Sequence, residues 1–199
     1  MAPPRKHSPD DILDAARGLV LADGPRAASV AAIAKVSGAP VGTLYHRFGS
    51  RDAVLAAAWL RALERFQTRV LAAADAHPDD PVEAGVAMAV AAVAFAGERP
   101  EDARLLLVVR RSDLLDAAPH DALRGQIDAM NAPLQDPILR IARDRRGRAD
   151  ARAVDAVTRA VVDLPTAAVR RHVGGDARPL PRWLSGDIAH AARMLLADL

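Results

Sequence analysis

Residues 29–52 read SVAAIAKVSGAPVGTLYHRFGSRD, and this stretch decides the fold of the N-terminal part of the chain. It contains two apolar runs, each about one short helix long and too short to be stable alone in water. Gly38 separates them, and glycine takes a positive φ at little cost. Ser29 is a suitable N-cap for the first of the two helices. The stretch therefore predicts a helix-turn-helix over about residues 28–48.

A third helix is predicted immediately before this pair. Ser8-Pro9-Asp10-Asp11 combines a capping serine, a proline at the first turn and two acids that favour the positive end of the helix dipole. Asp23-Gly24-Pro25 is a stop signal. Ile33, Ala34 and Leu44 would join the two short helices to each other and to this first helix. The N-terminal quarter of the chain is thus predicted to be a three-helix unit.

One face of the helix predicted over residues 40–48 suits a DNA groove better than bulk solvent. Val41 and Thr43 could meet a thymine methyl group or a base edge, and Tyr45 could reach a phosphate. His46 and Arg47 could both bond bases, and the sequence does not rank them. The free amides at the starts of neighbouring helices suit phosphate oxygens. The candidate DNA-binding residues are Ser29, Val30, Pro40, Val41, Gly42, Thr43, Tyr45, His46, Arg47 and Arg51.

The run Gly42–Phe48 (GTLYHRF), followed by Ser50–Leu55 (SRDAVL), resembles the signature of the TetR family of bacterial transcriptional regulators. The resemblance covers about residues 8–56. It implies a DNA-binding head on a larger helical domain, whose last two helices pair with a second copy in a four-helix bundle. It also implies a small molecule in the core of that domain that lowers DNA affinity.

The chain departs from that signature at three positions. Arg51 replaces the usual Lys, and both residues bind phosphate, so the role should survive. Pro40 replaces a more common Ser, Thr or Asn and has no amide to donate, which puts one backbone contact to phosphate in doubt. Ala39 replaces a more common Val.

Charge is unevenly distributed along the chain. Residues 1–51 hold seven Lys and Arg against four Asp, whereas the remaining 148 residues hold 20 basic and 21 acidic groups. The first quarter therefore has a net charge of +3 and the rest of the chain a net charge of −1. A basic N-terminal segment of this kind is compatible with binding to a polyanion. The excess is modest, and it argues against a non-specific DNA binder, which depends on dense positive charge.

The whole chain is predicted to be all-α, with about nine helices. Residues 1–50 would form the helix-turn-helix domain, with a frayed tail at 1–7, and residues 51–199 an effector-binding and dimerisation domain. Pro133, Pro137 and Pro165 fall inside helical stretches, which they should kink or break. The later helices are expected at about 51–76, 81–97, 100–117, 120–146, 150–173 and 181–198.

Two further sites are predicted in the larger domain, together with a homodimer and a small hydrophobic effector. Six aromatic residues in the whole chain make a mostly aliphatic pocket the expected form of the effector site. Its candidate lining is Trp59, Leu63, Phe66, Met88, Phe95, Leu106, Met130, Ile138 and Val169. The alternative is a solid core and a DNA-binding dimer without a sensor. Apolar stripes assign the dimer interface to Val157, Val161, Leu184, Ile188 and Leu195.

Other function classes find little support. The chain has no cysteine, and no phosphate-binding glycine loop or recognisable nucleophile supports an enzyme. Asp187 and His190 share a helix face but lack a third metal ligand. No cofactor is expected. The apolar run 84–97 is short and alanine-rich for a bilayer, so we expect a soluble, cytoplasmic protein without a membrane partner.

Overall fold

The computed structural model describes residues 8–109, 120–173 and 179–199, and every regular element in these ranges is helical. The all-α prediction is confirmed. The helices are α1 (Pro9–Asp23), α2 (Val30–Ser37), α3 (Val41–Phe48), α4 (Arg51–Asp75), α5 (Pro81–Glu98), α6 (Pro100–Val108), α7 (His120–Arg146), α8 (Ala151–Thr158), α9 (Leu164–Val173) and α10 (Leu184–Ala197). A 3₁₀ turn covers Pro25–Ala27 and a π-helical segment covers Arg159–Asp163.

The chain forms two compact units, and their boundary differs from the predicted one at residue 50. Of the described residues, the first unit contains 8–63, 104–109 and 120–126, and the second contains 64–103, 127–173 and 179–199. The first half of α4 belongs to the first unit because it is bonded to α1. The guanidinium of Arg61 donates to the carboxylates of Asp10 and Asp14, two residues on successive turns of α1.

Helix α1 forms where the sequence predicted it, with the predicted N-cap. The Ser8 hydroxyl accepts from the Asp10 amide at 3.2 Å, and the Asp11 carboxylate accepts from the Ser8 amide at 3.3 Å. This is a reciprocal capping box, which satisfies two backbone donors at once. Gly24, at φ +82°, ends the helix.

The two short helices also form where predicted. The Ser29 hydroxyl accepts from the Ala32 amide at 3.1 Å and caps α2. Gly38 follows α2 at φ +71°, in the left-handed region where a Cβ is costly. Ile33 and Leu44 are buried, so the apolar faces of α2 and α3 close onto the first unit as expected.

The second unit is built around α5. Ten of its residues are buried, and α10, α9 and the π-helical segment pack against it. By length and composition α5 is the one described helix that could cross a membrane, yet it is largely buried inside this unit. Gly85 allows a close approach, because a Cβ there would lie 2.5 Å from Cδ1 of the buried Leu196.

The prolines behave differently from one another. Pro133 and Pro137 lie inside α7, which continues to Arg146, so they do not break the helix, and the alternative that they kink it stays a prediction. The predicted helix over 150–173 is instead divided by the π-helical segment, which ends just before Leu164 and Pro165. Proline cannot donate to the carbonyl four residues back, and its ring crowds that turn. The wider π-helical turn makes room for Pro165.

Candidate nucleic-acid interface

Helix α3 divides sharply into a buried side and an exposed side. Leu44 is 1% exposed, whereas Val41 and Tyr45 are 44% and 53% exposed. Gly42, His46 and Arg47 share the exposed side, while Thr43 and Phe48 are half-buried. Large apolar and aromatic side chains left in solvent on so short a helix favour a surface that is covered by a partner.

The start of α3 offers backbone donors. Pro40 is the N-cap and supplies no side-chain acceptor to the first turn of this helix, whose positive end therefore lacks a side-chain cap. The space beside Gly42 is open, since no described atom beyond its chain neighbours and the nearby backbone of α3 lies within 4 Å of the place where a Cβ would stand. Packing within the chain does not require glycine here. A partner that approaches the backbone closely, such as a phosphate, would require it.

Helix α2 contributes exposed side chains that our reading of the sequence missed. Val36 is 61% exposed and Lys35 is exposed beside it, in the last turn of α2. The signal was present: with Ile33 and Ala34 buried, helical spacing turns the next two residues outward. Val36 and Lys35, just before the turn into α3, are therefore two further candidates for contact with a partner.

The structure uses Ser29 and Arg51 differently from the prediction. The Ser29 amide donates to the Ala27 carbonyl at 2.8 Å, so it is not free for phosphate, and Val30 holds the first helical position of α2. Arg51 Nε donates to the Ala28 carbonyl at 2.8 Å, and its Nη2 bonds the Pro25 carbonyl. Arg51 therefore bonds the loop before α2 to the start of α4, and its contact with a phosphate stays a prediction.

The dimer-interface prediction requires a correction. Val157, Val161, Leu184 and Ile188 are all less than 5% exposed within one chain, because they pack inside the second unit. They have no surface to offer a partner, so assigning them to a subunit interface was wrong. Leu195 is different, at 44% exposed, and its neighbours Met194 and Trp183 are also exposed. The apolar stripes identified the sides that face the chain's own core.

The predicted pocket lining is distributed over both units. Trp59, Leu63 and Leu106 belong to the first, and the other six belong to the second: Phe66, Met88, Phe95, Met130, Ile138 and Val169. In the second unit the Phe66 and Phe95 rings meet edge to face at 5.4 Å, and Met88 and Val169 are buried. A cavity of about 60 Å³ lies in the first unit, and of the predicted lining it includes Trp59.

Metal binding finds no support in the described ranges, which contain no group of three or more His, Asp or Glu placed to hold an ion. Asp187 and His190 are both exposed on α10.

Comparisons with known proteins agree with this geometry. The sequence profile described as "Bacterial regulatory proteins, tetR family" matches residues 12–58. A search of curated proteins gives no match. Among solved structures, the fatty acid degradation regulator FadR from Bacillus halodurans has a TM-score of 0.72 at 18% identity, over 96% of this chain and all of that one.

Two other solved structures have the same fold. A putative tetR family transcription regulator from Shewanella sp. PV-4 has a TM-score of 0.69 at 21% identity, over 96% of each chain. The TetR family regulator PfmR from Thermus thermophilus has a TM-score of 0.61 at 23% identity, over 94% of this chain and 97% of that one. The profile match assigns residues 12–58 to the tetR family of bacterial regulatory proteins, and the three solved structures share the fold along nearly the whole chain.

Proposed function

We propose that this protein is a homodimeric transcriptional repressor that binds an inverted-repeat operator through α3 and is released from it by a small apolar ligand. The observation that carries the proposal is the exposed side of α3, where Val41 and Tyr45 stand in solvent beside His46 and Arg47. A helix of this kind fits the major groove, where base edges and thymine methyl groups are read.

The side chains of α3 divide into positioning and reading roles. Tyr45 donates its hydroxyl to a phosphate, a contact that fixes the position of the head but carries no sequence information. Val41 and half-buried Thr43 meet thymine methyl groups or base edges, and His46 or Arg47 bonds bases. The amides at the start of α3, together with that of Val30 at the start of α2, supply further backbone contacts to phosphate.

The proposed dimer is supported by exposed apolar side chains in the second unit. Trp183, Met194 and Leu195 at the start and end of α10 and Val162 in the π-helical segment are all large hydrophobic residues with more than a third of their surface exposed. A two-fold pairing of this surface with a second copy would bury it and would join two heads for two half-sites.

Ligand release rests on the composition of the second unit. Its core is mainly aliphatic, and the few polar groups inside it include Gln67, 6% exposed, which donates to Asn131 at 3.2 Å. An apolar setting with a few placed polar groups is the usual form of a small-molecule site. A coupling of about 1–3 kcal/mol between ligand and operator would change operator affinity about 5–150-fold. A dimer that binds DNA without a sensor is the alternative.

Binding-site selection from random DNA with the purified protein tests the DNA-binding part directly. We expect enrichment of a palindrome whose half-sites lie about one helical turn, or a multiple of it, apart. Enrichment of a single unpaired site, or of no site, would contradict the dimeric operator.

The sensor part is tested by a thermal-shift screen of apolar metabolites, run on the protein alone and on the protein bound to the selected operator. A releasing ligand must stabilise the free protein more than the complex. Compounds that raise both melting temperatures equally, or that raise neither, would favour the alternative, which is a DNA-binding dimer without a sensor.

A further inference from the structure

The first turn of α3 decides which base edges this helix can read. A recognition helix contacts base edges mainly with its N-terminal residues. The first turn of α3 consists of Val41, Gly42, Thr43 and Leu44. Leu44 is buried, Thr43 is half-buried and Gly42 has no side chain. Val41, at 44% exposed, therefore supplies the only exposed side chain of this turn.

The residue types of α3 narrow the set of bases that it can recognise. In the major groove adenine is read by Asn or Gln, cytosine by Asp or Glu, guanine by Arg or Lys, and the thymine methyl group by an apolar side chain. Residues 41–48 contain no Asn, Gln, Asp or Glu. The basic side chains, His46 and Arg47, lie in the last turn, and Arg47 also has an interaction within the chain. The exposed side chain that the first turn offers to a base edge is thus a hydrocarbon.

Gly42 leaves room beside Val41 for a small group from outside the chain. Its backbone does not have a positive φ, and no described atom beyond its chain neighbours and the nearby backbone of α3 lies within 4 Å of the place where a Cβ would stand. Neither the backbone conformation nor packing within the chain requires glycine at this position. A methyl group on a base edge could therefore reach the backbone at Gly42 and touch the isopropyl group of Val41.

We propose that Val41 reads the C5-methyl group of a pyrimidine in each half-site, either thymine or 5-methylcytosine. The contact is the main source of base specificity in the first turn of α3. Both bases carry this methyl group at C5, on the edge that faces the major groove, where it is recognised by apolar contact. This inference rests on the proposed binding of α3 in the major groove and specifies the chemistry that the helix recognises there.

Replacing thymine by uracil tests the methyl group alone, because deoxyuridine pairs as thymidine does and lacks only that group. In the operator recovered by binding-site selection, each symmetric pair of thymines is replaced in turn, and the affinity is measured by fluorescence anisotropy. We expect a pair at which affinity falls about fourfold for each half-site, the value of one buried methylene group, and so about 15-fold for both. Equal affinity with uracil at every pair would overturn the proposal.

Cytosine and 5-methylcytosine at the same positions separate the two sources of the methyl group. Both bases change the hydrogen-bonding pattern of the base pair in the same way, and only 5-methylcytosine keeps the methyl group. We expect the operator with 5-methylcytosine to bind about 15-fold more tightly than the one with cytosine, by the same methyl contribution at two half-sites. Equal affinities would overturn the assignment for 5-methylcytosine and keep that for thymine.

A matched pair of valine variants locates the contact on the protein. Val41→Ala shortens the side chain and should bring the ratio of the thymine and uracil affinities close to one. Val36→Ala trims a valine that is 61% exposed on α2, outside the helix proposed to enter the groove, and should keep the full ratio. Any change in DNA stiffness caused by loss of the methyl group affects all three proteins alike and cancels in this comparison. An unchanged ratio in Val41→Ala would overturn the assignment to Val41.

Failure of this inference is distinguishable from failure of the proposed function. A palindrome that is bound equally well with thymine and with uracil would refute the methyl contact and leave the dimeric operator in place. A single unpaired site whose affinity depends on one C5-methyl group and on Val41 would refute the dimeric operator and leave the methyl contact in place. The thymine, uracil and 5-methylcytosine operators are compared on the unmodified protein, so this part of the test does not depend on the folding of any variant.

Discussion

Helices α3 and α10 both expose large apolar side chains, to nearly the same degree. Val41 on α3 and Leu195 on α10 are each 44% exposed, and Tyr45 and Met194 are 53% and 50% exposed. Exposed apolar area alone therefore does not distinguish the two surfaces. On both helices, apolar side chains of this size left in solvent suggest a surface that binds a partner.

The surroundings of the two surfaces do distinguish them. On α3 the neighbours are His46 and Arg47, and the helix begins without a side-chain cap. On α10 the basic neighbour, Arg193, is held by both carboxylate oxygens of Glu83 at 2.6–2.9 Å, so its charge is balanced within the chain. A surface with exposed polar side chains and backbone donors suits a polyanion. An apolar surface with balanced charge suits a second copy of the protein.

The largest expected effect comes from charging the α10 surface. Leu195→Asp should give monomers, because burying a carboxylate in an apolar interface is costly and unpaired. Losing the second head should weaken operator binding about 10²–10⁴-fold, the usual contribution of a linked second site. Light scattering and an operator titration measure the two effects. Ala72→Asp, on the exposed side of α4 in the same unit, is the control and should remain dimeric.

A Leu195→Asp protein that stays dimeric at micromolar concentration would move the interface away from α10. A monomeric variant with full operator affinity would instead separate dimerisation from DNA recognition.

A smaller effect is expected from the α3 surface. Tyr45→Phe removes only the hydroxyl and should weaken binding to every operator sequence about tenfold or more, since a hydrogen bond to a charged group contributes about 1.5–3 kcal/mol. The salt dependence should not change, because the number of neutralised phosphates is the same. Val41→Ala is the comparison, and it should alter preference at one base position instead.

Fluorescence anisotropy on the selected operator and on point variants of it separates these two outcomes. If Tyr45→Phe changed base preference and not overall affinity, Tyr45 would be a reader of bases.

The smallest effect concerns the loop that positions α2. Arg51→Lys keeps the charge but cannot bond the Pro25 and Ala28 carbonyls and Asp52 at once, because a lysine lacks the planar fork of donors. The free energy of unfolding should fall by about 1–2 kcal/mol, the net value of one or two such bonds. Urea denaturation measures it, with Arg26→Lys as an exposed control nearby.

If the stability of Arg51→Lys were unchanged, the prediction from sequence would be favoured, in which arginine and lysine are interchangeable phosphate ligands at this position. Lowered stability with unchanged operator affinity would instead agree with a role of Arg51 in holding the loop before α2.

The sequence by itself determined the features that depend on neighbouring residues. The capping box at Ser8 and Asp11, the cap at Ser29 and the left-handed turn at Gly38 are formed over a few residues, so the bounds of α1, α2 and α3 could be predicted closely. The exposed side of α3 followed from helical periodicity once Leu44 was placed in the core. The all-α class followed from the same short-range preferences.

Only the tertiary structure decided which distant groups come into contact. Arg51 bonds carbonyls 23 and 26 residues away, and nothing in its local sequence distinguishes an arginine that makes such bonds from one that binds phosphate. The apolar stripes that contain Val157 and Ile188 correctly predicted that these side chains are buried, but not what they pack against. An apolar side of a helix packs equally well against its own chain or against a second one. Periodicity fixes which side of a helix avoids water, and long-range packing fixes what that side meets.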